Sequence, residues 1–220
     1  MTPHSGNIQD RGLLITFEGP EGSGKSTLIA SLATLLASQG EEPMVLREPG
    51  GSDIGERIRN ILLDSASDAM CAETELLLMV ASRAQLVREK IEPALEAGMI
   101  VLCDRFADAS VAYQGFGRNL GEKKVSELNE FALGGREPDL TFLCMLSPEQ
   151  GQARLKDRAT DRLDDESADF HQRVFEGYQC MAGSGKRRFK VIDASATPDA
   201  MLAETLGHLK RLEHGVLKYL

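Results

Sequence analysis

The sequence predicts an α/β fold in which short apolar strands alternate with helices, and three observations carry that expectation. Residues 13–17, Leu-Leu-Ile-Thr-Phe, form the kind of apolar run a buried parallel strand needs. Gly19-Pro20-Glu21-Gly22-Ser23-Gly24-Lys25-Ser26 follows it, and helical apolar spacing begins at Leu28. Met99-Ile100-Val101-Leu102-Cys103 is the clearest buried-strand run in the chain, and it ends against Asp104-Arg105-Phe106. Strand-like and helix-like segments go on alternating beyond both.

The composition suits one domain of this class. The chain has 220 residues, 42% of them hydrophobic, which is enough for a substantial core. The polar stretch 1–12 reads as a loose N-terminal tail, 13–212 as a single domain and 213–220 as a C-terminal tail. Stretch 1–12 lacks the apolar centre of a secretory signal, and no run of about 18 apolar residues exists for a membrane span, so the expectation is a cytoplasmic protein without a membrane partner. Cys71, Cys103, Cys144 and Cys180 are scattered without a C-x-x-C pair and read as buried thiols. The dispersed histidines show no zinc-ligand spacing. A net charge of −9 argues against a nucleic acid polymer as the main partner, since binding its backbone needs a broad basic surface.

Residues 19–26 fit the pattern G-x-x-x-x-G-K-[ST] at every specified position. The glycines let the backbone turn several N–H groups inward on a polyanion. Lys25 adds a mobile positive charge, Ser26 offers a hydroxyl to Mg²⁺, and the helix that starts there points its positive end at the same phosphates. By contrast, Gly183-Ser184-Gly185-Lys186 lacks the first glycine and precedes a strand, so it reads as a turn.

Residues 43–46 form the second strand. Arg47-Glu48-Pro49-Gly50-Gly51 at its end either holds Arg47 and Glu48 at a substrate or is a plain strand-to-helix turn. Ser52-Asp53 caps the helix carrying Ile54, Ile58, Ile61 and Leu62, and a loop over 64–72 follows. Residues 73–95 repeat apolar side chains at helical spacing, forming a long core helix that the glycine of Ala97-Gly98 ends. Arg83 on that helix is a ligand contact or a solvated arginine. Asp104, beyond the third strand, can hold Mg²⁺ directly or through water, and Arg105 can grip a phosphate bidentately; a local pair capping the strand is the plainer reading. Residues 109–115, including Ser110 and Gln114, form a short helical segment with hydroxyls and an amide suited to a base edge. A helix over 125–133, a strand over 140–146, a helix capped by Ser147 and Pro148, a helix over 170–181, a strand over 189–193 and a helix over 198–212 complete the domain. Arg154, Lys156, Arg158 and Arg162, followed by Asp164-Asp165-Glu166, form either a mobile flap whose arginines reach the phosphates or a solvated, salt-bridged helix end.

Phe17-Glu18-Gly19 entering the loop, Arg47-Glu48-Pro49-Gly50-Gly51, Asp104-Arg105-Phe106, Tyr113-Gln114-Gly115 and Pro138-Asp139-Leu140 occur in the order seen in thymidylate kinases. The chain resembles that family from about Leu13 to Leu212, and resembles its bacterial form, in which lid arginines replace a basic residue missing from the P-loop. The resemblance implies a P-loop NTPase-type parallel five-stranded sheet flanked by helices, with a short mobile lid over about 154–166. It also implies transfer of the γ-phosphoryl of MgATP to dTMP, giving dTDP for dTTP synthesis, by a homodimer. On that basis Gly19 to Thr27 would hold the ATP phosphates, with Gly22, Gly24, Lys25, Ser26 and Thr27 closest, and Ser26 and Asp104 would serve the metal. Glu21 would lie near the deoxyribose 3′-hydroxyl, and Arg105 would hold the dTMP phosphate. Arg47 and Glu48 would shape the acceptor end beside Pro49, which resembles the family's cis proline, and Arg83, Gln114 and Ser110 would address the base. Arg158, with Arg154 or Arg162, would act from the lid.

Two positions depart from the family's pattern. Met79 stands where many members place a phenylalanine against thymine, and Met145 where many have an aspartate at a strand end. A thioether gives a less flat and more flexible wall than a ring. Another nucleoside monophosphate kinase, acting on dUMP, UMP or AMP, is the alternative enzyme. A nucleotide-hydrolysing switch protein is the alternative of another class, although no N-K-x-D guanine-reading segment is present.

Overall fold

A computed structural model of the chain describes residues 11–155 and 161–212. Five strands, β1 (Leu13–Glu18), β2 (Met44–Arg47), β3 (Ile100–Asp104), β4 (Leu140–Met145) and β5 (Phe189–Asp193), form one sheet in the order β2-β3-β1-β4-β5. Each neighbouring pair is parallel. β1 lies at the centre, where the chain changes direction across the sheet: β2 and β3 build one side, β4 and β5 the other. Its residues are all buried, as a strand covered on both faces requires. The register pairs Phe17 with Asp104 and Asp104 with Arg47, so three adjacent strands end level, and their loops open on one edge.

Alternation along β1 divides the core into two layers. Leu13, Ile15 and Phe17 pack with Leu28, Leu32 and Leu36 of α1 (Lys25–Ser38) and with Met201 and Leu209 of α9 (Pro198–Leu209). Leu14 points the other way, to Val101, Leu86, Val87 and Leu95. Ser52 Oγ accepts the Gly55 N–H and caps α2 (Asp53–Leu63), as its place in the sequence predicts.

The long helix expected over 73–95 is one rod in three parts: α3 (Ala72–Leu86), a wide π turn (Val87–Ile91) and α4 (Glu92–Glu96). Pro93 has no N–H to give the preceding turn, and the widened turn absorbs that loss. The segment expected over 109–115 is likewise α5 (Ala107–Ser110) running into a π turn (Val111–Gly117). α6 (Glu122–Leu133), α7 (Pro148–Leu155) and α8 (Ala168–Gly183) complete the α-helices among the described residues, and a short 3-10 turn (Ser65–Ser67) lies in the loop expected over 64–72. α9 stops at Leu209, three residues before its expected end, and Cys71 and Cys180 are exposed rather than buried as expected. Cys103 and Cys144 are buried.

Candidate active site

The loop between β1 and α1 requires its glycines. Gly19, Gly22 and Gly24 have φ of +141°, +72° and +79°, and a Cβ on Gly19 would stand 2.2 Å from the Cys144 carbonyl oxygen. Ser23 Oγ donates to Pro20 O at 2.8 Å and holds the loop closed on itself. Lys25 is folded inward, its Nζ donating to Gly19 O (3.1 Å), Pro20 O (2.9 Å) and Ser23 Oγ (3.2 Å). Burial, and then the positive charge of Arg105, hold its pKa below the ordinary lysine value. Ser26 Oγ donates to Asp104 Oδ2 at 2.8 Å, so the two residues expected at a metal stand together at the mouth of the loop.

Arg105, at φ +66°, turns the chain sharply after β3. Its Nη1 donates to Gly19 O (3.0 Å) and Tyr178 Oη (3.2 Å), its Nη2 to Tyr113 Oη (3.1 Å) and to the Glu21 carboxylate. The guanidinium lies 4.9 Å from the Tyr113 ring centre. Burial works against its charge, but Glu21 and the tyrosines around it outweigh that and raise its pKa further. Behind it Glu18 accepts the Phe106 N–H (2.7 Å) and the Tyr178 hydroxyl (3.1 Å). Burial, then the charge of Asp108, push the Glu18 carboxyl up to about 8.

At the far end of the site the Glu48–Pro49 peptide is cis, and Gly50 N donates to Ser82 Oγ at 3.0 Å, docking the turn on α3. Arg83 is fully buried. Its Nε donates to Glu48 Oε2 (2.8 Å), Nη1 to Asn129 Oδ1 (2.6 Å) and Ser110 Oγ (3.1 Å), and Nη2 to Phe106 O (3.0 Å). Arg47 stands half exposed at the rim, in an ion pair with Glu56 at 2.7 Å. Gln114 Nε2 donates to Glu75 Oε1 at 2.9 Å.

These groups surround one cavity of about 410 Å³. Every expected site residue among those described lines it except Gly19, Pro20 and Arg162. Gly19 and Pro20 sit behind the loop as acceptors for Lys25. Arg162 points away, its Nε donating to Leu62 O (2.9 Å) and its Nη2 to Glu75 Oε2 (2.7 Å). Arg154 does reach the loop, its Nη1 donating to Gly22 O at 3.2 Å. Arg158 lies outside the described residues. Met79 forms part of the wall beside Arg83.

Sequence reasoning gave no role to Glu18, Glu75, Tyr178 or Asn129, all of them buried. Tyr113, quoted only within a motif, and Arg59, whose Nη1 donates to Pro49 O at 2.8 Å, also line the cavity. For Glu75 the sequence does carry a signal: Glu75, Met79 and Arg83 recur at four-residue steps on one face of α3.

A glycine-rich loop that fits a phosphate cradle, an arginine anchored against it and one shared cavity define a P-loop phosphotransferase acting on a nucleotide. The family model for thymidylate kinase matches residues 17–204. Similar proteins include a thymidylate kinase of Geobacillus thermodenitrificans, 47% identical over 206 residues and covering 92% of each chain. Another, from Desulfovibrio desulfuricans, is 46% identical over 200 residues, 87% of this chain and 92% of that one. The crystal structure of thymidylate kinase from Ehrlichia chaffeensis superposes with a TM-score of 0.76 at 28% identity, over 90% of this chain and 99% of that one. The chain therefore belongs to the thymidylate kinase family: it is an enzyme that phosphorylates dTMP, with ATP as the phosphate donor.

Proposed function

We propose that the chain works in the cytoplasm as a homodimer, moving the γ-phosphoryl of Mg²⁺-bound ATP directly to the 5′-phosphate of dTMP and releasing dTDP and ADP. The observation that carries the reading is that the P-loop and Arg105 line one cavity in contact with each other, Arg105 Nη1 donating to Gly19 O at 3.0 Å, with Ser26 hydrogen-bonded to Asp104 beside them. A hydroxyl and a carboxylate, both hard oxygen donors, suit Mg²⁺ there, where the ion would neutralise charge on the transferring phosphates.

The chain's own residues then have separable tasks. The N–H groups of Gly22 to Thr27 and the start of α1 bind the donor phosphates. Lys25 exchanges its loop carbonyls for the outer phosphates. Arg105 turns from Glu21 toward the acceptor phosphate, supported by Tyr113 and Tyr178, while Glu21 meets the deoxyribose. Glu48 and Arg83 form the floor of the acceptor end, and Ser110, Gln114 and Met79 surround the base. Arg154, already at Gly22, offsets charge from the lid side. No side chain need act as a strong base, because the reaction depends mainly on alignment and charge neutralisation.

Lys25→Ala and Arg105→Ala are each expected to lower transfer by on the order of 10² to 10⁴ with the fold retained by circular dichroism. Near-normal turnover by a folded Arg105→Ala protein would remove that residue from the site. Nucleoside diphosphate formation measured side by side with dTMP, dUMP, UMP, AMP and no acceptor tests the substrate: dTMP should lead.

A further inference from the structure

Glu75, buried on α3, receives four hydrogen bonds from three side chains. Gln114 Nε2 donates at 2.9 Å, Arg118 Nε and Nη2 at 3.1 and 2.8 Å, and Arg162 Nη2 at 2.7 Å. Burial alone would raise its pKa, but the bonds from Arg118 and Gln114 outweigh burial and hold the carboxyl below its ordinary value. Glu75 is therefore ionised, and an ionised carboxylate only accepts.

That fixes the neighbouring amide. Gln114 must turn its NH₂ toward Glu75 and its carbonyl oxygen away. Gln114 Oε1 accepts no hydrogen bond among the described residues, and it is not one of the sealed atoms left without a partner, which are Glu48 Oε1, Arg136 Nε and Arg188 Nε. Gln114 lines the cavity, so this oxygen is the polar face it shows to a ligand.

We propose that Glu75 is a positioning residue that fixes Gln114 as a hydrogen-bond acceptor, and thereby selects acceptor nucleotides whose pyrimidine carries N–H at ring position 3. The inference rests on the reading above that the acceptor's base lies at Gln114. A 4-oxo pyrimidine, thymine or uracil, presents N3–H and satisfies the oxygen. A 4-amino pyrimidine presents a lone pair at N3, so two acceptors face each other and both stay unpaired on binding. Uracil shares the N3–H, so this device separates dTMP from dCMP and leaves the 5-methyl group to other neighbours.

The test compares kcat/KM for dTMP, dCMP and N3-methylated dTMP in the wild type and in Glu75→Gln. The wild type should favour dTMP over both others by roughly 10² or more. Glu75→Gln, which can donate or accept, frees the Gln114 amide to rotate, so the dTMP-to-dCMP ratio should fall at least tenfold. The loss should appear mainly as a higher KM for dTMP, with the KM for ATP unchanged. An unchanged ratio, with both acceptors slowed equally, would reduce Glu75 to a merely structural role. N3-methylated dTMP turning over as well as dTMP would overturn the proposal without any variant. Should Glu75→Gln not fold, Glu75→Asp keeps the charge for Arg118 and Arg162 while drawing it back from Gln114, and the same ratio decides. A wild type that leaves dTMP unphosphorylated would instead sink the underlying reading of the site.

Discussion

Glu18 ends β1 with a carboxylate buried beneath Arg105, and its chemistry gives the protein a stability that depends on pH. Its pKa rises from 4.5 unfolded to about 8 folded, so between those values the native state holds a proton that the unfolded chain releases. The group's contribution is complete below pH 4.5 and is lost as pH climbs to about 8, a change of up to about 5 kcal/mol. Glu18→Gln keeps an acceptor for the Phe106 N–H but cannot ionise. From pH 5 to 8 the melting temperature of the wild type should therefore fall relative to the variant by on the order of 5 °C. Parallel melting curves across that range would show that Glu18 is ionised throughout. Gly19 to Ser26 were legible in the sequence because that stretch is local: glycine spacing, Lys25 and Ser26 specify loop and chemistry together. Glu18 was not, since its role comes from Phe106 and Tyr178, 88 and 160 residues away.

Backbones also meet closely where α7 crosses the P-loop. A Cβ on Gly22 would stand 2.6 Å from Gly151 O, and a Cβ on Gly151 would stand 2.5 Å from Glu21 O, so two backbones touch with no side chain between them. That closeness lets Arg154 reach Gly22 O. Gly151→Ala should lift α7 from the loop, lowering kcat with dTMP by about tenfold and raising the share of ATP hydrolysed without acceptor, because a displaced lid admits water. Normal coupling of ADP to dTDP in that variant would show that the contact is incidental to closure. The order of strands and helices was readable from apolar periodicity. The two π turns were not, because one extra residue in a turn shifts the apolar stripe too little to register. Arg162 shows the same limit: its charge was visible, while its direction, toward Glu75 and Leu62, depends on how α2 and α3 pack.

At the scale of the whole molecule, α3 has two working faces. Met79 and Arg83 line the site and Glu75 backs Gln114 behind it, while Leu77 is 55% exposed. The helices packed against α3 add Ile61 of α2 at 50% and Phe131 of α6 at 82%. Large apolar side chains exposed on three neighbouring helices suit contact with a second copy of the chain. Such an interface would brace the helix that carries the base pocket, which links assembly to substrate affinity. The wild type should then sediment at twice the 24.0 kDa chain mass at micromolar concentration. The double variant Leu77→Glu, Phe131→Glu should sediment as a monomer, because carboxylates would be forced into an apolar contact. With α3 no longer braced, its KM for dTMP should rise several-fold more than its KM for ATP, whose loop and helix lie across the sheet from that surface. A monomeric wild type, or a dimer that survives both substitutions, would place the contact elsewhere; a monomer with unchanged KM for dTMP would keep the interface but separate it from the site.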